Sequence, residues 1–556
     1  MFNTQDFKAL FVGLYRSFQK QAPLLNELDS AIGDGDHGDT ILRGFTAAAL
    51  VVQNEFEDIG SLFARVSTAL AEETGGAIGP LLASFFAEGA LEFSGQQSIG
   101  TSEMVAFFER GYEAVRQVGG AKPGQKTLLD ALDPAVAGLQ AHKNESLTVA
   151  LSAAAEAAQQ GAEATKQIAA AKGRARFVGE RGIGHMDPGA ASFAMIVRGF
   201  QRVAEGVAIT AQDLDIPSEE EKVQPAGKFV NKPQDMLKED NLGLALAYPN
   251  LVSLADSGVL VRAAPKDNGK VGLAIGHGGG HTPSMGGFVG VGLLDADVYG
   301  PLFTCASGLK IARAIEAADR GSGVVLLVSN HTGDVLNARM AKRQAEQMGL
   351  DVTLVLSSDD VATAPRERYE DRRGLGGLLF PLKVGGGAAE AGLELAEVAD
   401  LMARTNERTA TLAVASRAPR HPVTGQKLFD LPEGQIEVGT GVHGEVGVYR
   451  GNLMPADDLV DLMLDRLLPD LSAFLEDRVW VFLNGSGGTS QMELHILYQS
   501  VFKKLEQQGL QVAAGVVGSY FTTLEMGGFS LSLCALPADA VPWWEAFARG
   551  PNFYWP

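Results

Sequence analysis

The strongest constraint on the fold is a change of hydrophobic period along the chain. From Asp6 to about Gly206 the sequence is rich in Ala, Leu, Glu and Gln, with apolar residues at helical spacing, as in Leu62 to Glu73 and the alanine-dense stretch Leu147 to Ala171. Beyond Lys228, short apolar β-rich runs (Val271 to Ile275, Val324 to Val328, Val352 to Val355, Val479 to Leu483) alternate with helical segments such as Ile311 to Arg320 and Ala338 to Met348. The first pattern predicts an all-α domain over 1–208. The second predicts an α/β domain over 228–556, with a subdomain boundary near 405 because the alternation restarts at Thr411. Between them, DLDIPSEEEKVQPAGK is polar and acidic, holds two prolines and no apolar period, and reads as a linker over 209–227. A multidomain chain is also what 556 residues require, since one core rarely organises so many.

A formal net charge of −21 repels phosphate backbones and no Lys/Arg cluster offsets it, so no nucleic-acid partner is expected. The start lacks a basic segment followed by an apolar stretch, and no run of about 18 apolar residues occurs, so the expectation is a cytoplasmic protein without membrane contact. Cys305 and Cys534 sit in apolar FTCAS and SLCAL, which favours reduced, buried thiols.

In the helical part, LDSAIGDGDHGDT (Leu28 to Thr40) places Asp29, Asp34 and Asp36 around Gly33 and Gly35, which let the chain turn so that the carboxylates converge. Convergent carboxylates repel unless a cation lies between them, and hard oxygen ligands select magnesium, which also takes phosphate oxygens. An acidic surface turn or a calcium loop is the alternative, although an EF-hand spacing is absent. TGGAIGPLLASFF (Thr74 to Phe86) runs a glycine turn into an apolar helix, as for phosphate contact or for close helix packing. GRARFVGERGIGHMDPGAAS (Gly173 to Ser192) supplies Arg174 and the turn Asp187, Pro188, Gly189, either a cap on a nucleotide site or an ordinary helix start.

In the α/β part, IGHGGGHTPSMGGFVG (Ile275 to Gly290) follows an apolar strand, with glycines that admit close ligand approach and His281 at their exit. SNHTGDVLN (Ser329 to Asn337) follows another strand and reads as a second loop, carrying Asp334, and open α/β sheets bind ligands in such loops at strand C-termini. GTGVHGEVG (Gly439 to Gly447) holds His443 among glycines, an exposed, flexible setting for a base, nucleophile or ligand, or for a hydrogen-bonded loop histidine.

Together these motifs resemble the dihydroxyacetone kinase family over nearly the entire chain. The N-terminal part is similar to the nucleotide-binding L-type part through GDGDHGDT, the Gly75 to Pro80 turn, KTLLDAL (Lys126 to Leu132) and GERGIGHMDPGAAS. The remainder is similar to the substrate-binding K-type part through FVNKPQD, GGGHTP, GFVGVGLLDADVYGPLFT, HTGDVLN, DDVA, DRRGLGG, GVHGEVG and TTLEMGGFSLSL. The resemblance implies an L-type barrel of antiparallel helices, with Asp29, Asp34 and Asp36 holding two magnesium ions on the phosphates of ATP. It places His37, Thr40, Gly76, Ala77 and Arg174 near the nucleotide and Asp187 and Gly189 in a lid. In the K-type part it implies that His443 adds to the substrate carbonyl as a hemiaminal, while His281 and Asp334 bond the ketone's hydroxyls and assist deprotonation, with Gly279 and Gly280 lining the pocket. A homodimer is implied as well.

Three departures bear on substrate and donor. The nucleotide part precedes the ketone part, the reverse of the usual fusion. Thr282 replaces an acidic residue common after the loop histidine, and Ile78 replaces a small hydroxyl residue. Thr282 and Ser284 beside the ketone loop make a tetrulose such as erythrulose a rival to dihydroxyacetone. Fusion in one chain points to exchangeable ATP as donor. The competing readings are a non-catalytic sensor and a lyase that cyclises FAD at the nucleotide site.

Overall fold

The computed structural model describes residues 1–33, 35–177, 179–206, 228–232, 235–255, 257–422, 425–445 and 447–556. The chain forms two compact units, Met1–Glu220 and Glu221–Pro556. The expected linker, 209–227, lies outside the described residues.

The first unit is built of α1 (Thr4–Ser30), α2 (His37–Val51), α3 (Ile59–Glu73), α4 (Ile78–Glu92), α5 (Thr101–Gly119), α6 (Leu129–Ala141), α7 (Leu147–Ala164) and α8 (Pro188–Ala204). It is not purely helical: β1 (Phe2–Asn3) pairs antiparallel with β2 (Ser98–Ile99) and ties the chain start to the α4–α5 connection. Helix starts carry their signals in sequence, with Asn3, Asp58, Ser146 and Asp187 each accepting a backbone N–H of the first turn. Every helix packs on its neighbour in sequence, and α8 packs on α1 as well as α7, so the order of neighbours closes on itself. Phenylalanines from the helices fill the core in edge-to-face contacts, such as Phe7 on Phe63 at 4.9 Å and Phe85 on Phe193 at 5.2 Å. The alanine-dense α7 lies close against α6: a Cβ at Gly161 would fall 2.1 Å from the Asp130 carbonyl oxygen, so the small residues there serve helix approach.

The second unit begins with α9 (Met236–Ala247) and a six-stranded sheet of β3 (Val252–Leu254), β4 (Leu260–Arg262), β5 (Gly272–Gly279), β6 (Ala296–Leu302), β7 (Val324–Ser329) and β8 (Val352–Ser357). Its order is β3-β4-β6-β5-β7-β8, with β6, β5, β7 and β8 parallel and β3 and β4 an antiparallel edge. α10 (Gly308–Ala318) and α11 (Thr332–Gln347) provide crossovers. Side chains alternate along the strands: Ala274, Leu326 and Val328 join one core, and Leu273, Ile275, Val325 and Leu327 join another.

α12 (Leu379–Ala391) and α13 (Leu395–Glu407) lead to a second sheet, order β11-β10-β9-β14-β12-β13. Its strands are β9 (Thr409–Arg417), β10 (Gln435–Val438), β11 (Tyr449–Asn452), β12 (Arg478–Gly485), β13 (Gln511–Gly518) and β14 (Gly527–Cys534), interleaved with α14 (Ala456–Leu471) and α15 (Gln491–Gln507). The chain closes with α16 (Val541–Glu545) and the short pair β15 (Ala548–Arg549) and β16 (Tyr554–Trp555).

A buried polar junction joins the two sheets. Asp359, just past β8, accepts N–H bonds from Leu375 at 2.7 Å and Gly377 at 2.9 Å, and its own carbonyl accepts from Thr411 N–H on β9. Asp360 meets the Arg373 guanidinium at 2.8 Å, and Arg373 also donates to the Gly439 carbonyl. The DDVA and DRRGLGG segments thereby anchor the turn that carries His443. Among the described residues no helix is long and apolar enough to cross a membrane, and Cys305 and Cys534 are both buried and form no disulfide with each other.

Candidate active site

In the helical unit, the α1–α2, α3–α4, α5–α6 and α7–α8 connections lead into the N-termini of α2, α4, α6 and α8. Three of these connections are tied together by contacts. His37, first in α2, sits 2.9 Å through Nε2 from the Ser192 hydroxyl of α8. Lys126, ahead of α6, is fully buried and donates from Nζ to the carbonyls of Thr165, Ile168, Gly182 and His185. Helix N-termini present N–H groups and positive partial charge, which is how an acidic protein can receive phosphates.

Asp29 ends α1, and its Oδ2 accepts from the backbone N–H groups of Gly35 at 2.8 Å and Asp36 at 3.1 Å, which bends the chain into the turn. A Cβ at Gly33 would lie 2.2 Å from Asp29 Oδ1, so glycine keeps the space beside that oxygen open. Asp36 precedes α2 without capping it; Asn26 Oδ1 accepts from Gly38 N–H and Asp39 N–H instead. Two carboxylates at one turn, neither capping a helix with its side chain, suit a hard divalent cation. Asp34 lies outside the described residues, as does the side chain of Arg174. Among the described residues no cluster of three ligating side chains is formed.

Thr40 is buried and accepts from Arg43 at 2.9 Å. Gly76 turns at φ +63° and Ala77 precedes α4 with no side-chain cap. Asp187 caps α8 through Ala190 N–H at 2.7 Å, and Gly189 lies in the first turn. Burial lifts the Asp187 carboxyl to about 7, opposed by the Ala190 bond and reinforced by Asp130 and Asp29. Burial also drops His37 to about 4 despite Asp36 beside it, so its imidazole is neutral at pH 7.

In the α/β unit, the parallel strands deliver their C-terminal ends to one edge. Gly279 ends β5, and a Cβ there would strike Leu237 at 2.4 Å; Gly280, at φ +92°, turns the chain toward His281. His281 Nδ1 lies 2.6 Å from the Thr522 carbonyl, which places the proton on Nδ1 and turns Nε2 outward. That Nε2 lies 3.3 Å from Nε2 of His443, in the turn between β10 and β11. One proton therefore lies between the two Nε2 atoms. Behind His443, Nδ1 stands 3.5 Å from Glu445 Oε1, and neither atom has a hydrogen-bond partner among the described residues. Glu445 Oε2 accepts the His443 N–H at 3.0 Å. Burial alone would raise the Glu445 carboxyl, but His443 and Arg373 hold it well below the usual range, so it is a carboxylate. Burial, with His443 adding, pushes His281 down to about 3. Phe303 packs on both rings at 5.4 and 5.2 Å.

Two expectations are corrected. His443 is not exposed: it keeps 9% of its surface, in a turn whose Gly444 packs on Phe429 and whose Gly441 packs on Glu445. Asp334 is not in a loop but in the first turn of α11, buried, three residues after His331, whose ring centre is 6.4 Å from that of His443. Reasoning from sequence passed over Glu445, although it lies within the quoted GVHGEVG. It also missed Thr522 and Thr523, which clasp His281 and the Val442 carbonyl from far along the chain.

Residues 31–202 match the DAK2 domain and residues 242–552 match the Dak1 domain, in that order along the chain. The chain belongs to the dihydroxyacetone kinase family. Among relatives of this family member, the L-erythrulose kinase of Pectobacterium atrosepticum is 36% identical over 327 residues, 58% of this chain and 55% of the relative. The chain thus spans about half the length of that relative. The dihydroxyacetone-binding subunit of PTS-dependent dihydroxyacetone kinase 1 of Listeria innocua is 34% identical over 327 residues, 57% of this chain and 99% of the subunit. Among solved structures, the dihydroxyacetone kinase of C. freundii in complex with AMP-PNP and Mg2+ matches with TM-score 0.52 and 28% identity, covering 59% of this chain and 61% of that one. The dihydroxyacetone kinase operon co-activator matches with TM-score 0.54 and 27% identity over 57% of this chain and 98% of that one.

Proposed function

We propose that this family member transfers the γ-phosphoryl group of ATP to a terminal hydroxyl of a small hydroxyketone, dihydroxyacetone or a tetrulose such as erythrulose, held as a hemiaminal on His443. The observation that carries this reading is the buried pair of imidazoles, His443 and His281, with Glu445 behind the first and the Thr522 carbonyl behind the second. As His443 Nε2 bonds to the carbonyl carbon, the carbonyl π bond breaks. The Nε2–H bond breaks and its proton, shared with His281 Nε2, passes to the oxygen, leaving a neutral adduct with Glu445 still a carboxylate behind the ring. Entry of a carbon parts the two Nε2 atoms from their 3.3 Å contact. Glycerol has no carbonyl and is refused on chemical grounds. His281 and Asp334 then bond the ketone's hydroxyls, and one of them takes the proton of the attacking hydroxyl.

The helical unit, whose closed order of neighbours we read as the family's helical barrel, is assigned the nucleotide. Asp29, Asp34 and Asp36 would hold magnesium, two ions in the family pattern, which when bound offsets phosphate charge and orients the γ-phosphoryl group. His37, Thr40, Gly76 and Ala77 flank the phosphates, Arg174 offsets charge in transfer, and Asp187 and Gly189 close over the nucleotide. The domain roles follow: 1–208 nucleotide, 209–227 linker and 228–556 ketone, divided near 405. We place the enzyme in the cytoplasm as a homodimer.

An ADP-release assay with ATP and magnesium alone, without phosphotransfer proteins, tests the reading. Release is expected with dihydroxyacetone or erythrulose and not with glycerol. Ketose binding without ADP release favours the sensor reading, to which the likeness to the operon co-activator lends support, and turnover of FAD with manganese and no ketose favours the lyase.

A further inference from the structure

Between α9 and the loop after β5 lies a crevice of about 20 Å³ that the mechanism above does not use. Its polar walls are Asn241, His277, Thr282, Ser284, Asp297 and Tyr299, and it shares Leu237, Asp240, Gly280 and Thr282 with a wide cleft of about 790 Å³ that also reaches Thr522. The cleft therefore runs along Gly280 and Thr282, the residues on either side of His281. Two features mark the crevice as built for a ligand group. Asn241 is 7% exposed, and its Nδ2 has no hydrogen-bond partner among the described residues, a donor that burial makes costly to leave unmet. Asp297, 1% exposed, is held by His277 at 3.0 Å, while Thr282 is fixed by its hydroxyl to Asp240 at 2.6 Å.

The chemistry of these walls selects the group. Asn241 Nδ2 needs an acceptor and Asp297 offers one, so the occupant must both accept and donate, as a hydroxyl does. A carboxylate or phosphate would face Asp297 and Asp240, and an ammonium has no lone pair with which to accept from Asn241 Nδ2. The volume admits one such group, since a single water needs roughly 10–15 Å³. We propose that this crevice is a hydroxyl subsite for the additional hydroxyl of a ketose longer than a triose, so that it selects tetruloses over dihydroxyacetone. The proposal rests on the ketose-kinase reading and deepens it by naming the substrate class.

The test is the ratio of kcat/KM for erythrulose, the faster enantiomer, to that for dihydroxyacetone, measured on the full chain for wild type, Asn241→Leu and Tyr299→Phe, with thermal melts to check folding. The wild-type ratio is expected to exceed one. Asn241→Leu should lower it about tenfold, the scale of one lost hydrogen bond in a buried site. Tyr299→Phe, which removes only a hydroxyl from the wall, should lower it in the same direction. A ratio unchanged in both variants, or a fall shared equally by the two sugars, overturns the subsite while leaving the kinase reading intact. Wild-type protein that phosphorylates neither sugar overturns the kinase reading, and the subsite with it.

Discussion

Asp187 is a carboxyl whose ionisation the fold controls, because it must cap α8 from a buried position. Its carboxyl rises from 3.8 to about 7, so within that window the folded protein keeps a proton that the unfolded chain has lost. Stability from this group is full below pH 3.8, declines as pH rises through the window, and levels off above about 7. In metal-free and nucleotide-free protein, Asp187→Asn keeps a capping side chain but has no proton to lose. Its melting temperature should gain on wild type as pH rises through the window, and parallel melting profiles would contradict the assignment. The local motifs that carry His281, Asp334 and His443 were legible in the sequence, and the structure brings two of these residues, His281 and His443, together. Their environments were not legible. Glycines flanking His443 look like a mobile loop in sequence, but Phe303 and His281 pack on its ring while Phe429 and Glu445 pack on the glycines. The partner of His281 is Thr522, 241 residues away, a separation at which one sequence carries no signal.

The turn carrying His443 is held by elements rather than by its own residues. Arg373, between β8 and α12, reaches Asp360 and the Gly439 carbonyl and faces Glu445, so one guanidinium ties the first sheet to the β10–β11 turn. Arg373→Met leaves Asp360 buried without its cation, which should cost about 3–5 kcal/mol in urea unfolding. It should also depress ketose turnover beyond what the stability loss explains, because Glu445 loses its neighbour. Near wild-type stability and activity would show that the junction does not position the turn. Helices and strands were read well from sequence because their periods are local: the runs at Val324, Val352 and Val479 each lie in a strand, and the alanine-dense run forms α7 as far as Ala164. Boundaries were missed where polarity misleads. β5 continues past Ile275 through Gly276, His277 and Gly278 to Gly279, since pairing with β6, not side-chain character, decides where that strand ends.

Over the whole molecule, two compact units with separate cores carry the two sets of candidate residues. The assigned ligands should therefore act on different unfolding events. In calorimetry of the full chain, magnesium with AMP-PNP should raise one transition and dihydroxyacetone another, each growing with ligand concentration; both ligands shifting the same transition alone would contradict the division of labour. What sequence conveyed at this scale was the order of the units, through the change in hydrophobic period, and the family, through many short motifs in sequence order. The central claim remains covalent capture of the ketone by His443. It is tested most directly by NMR of dihydroxyacetone labelled with carbon-13 at the carbonyl and bound to the protein. The account predicts that a tetrahedral-carbon signal of the bound sugar replaces the carbonyl signal in wild type and is missing in His443→Ala; a bound sugar that keeps its carbonyl signal in a protein that still phosphorylates it would contradict the account.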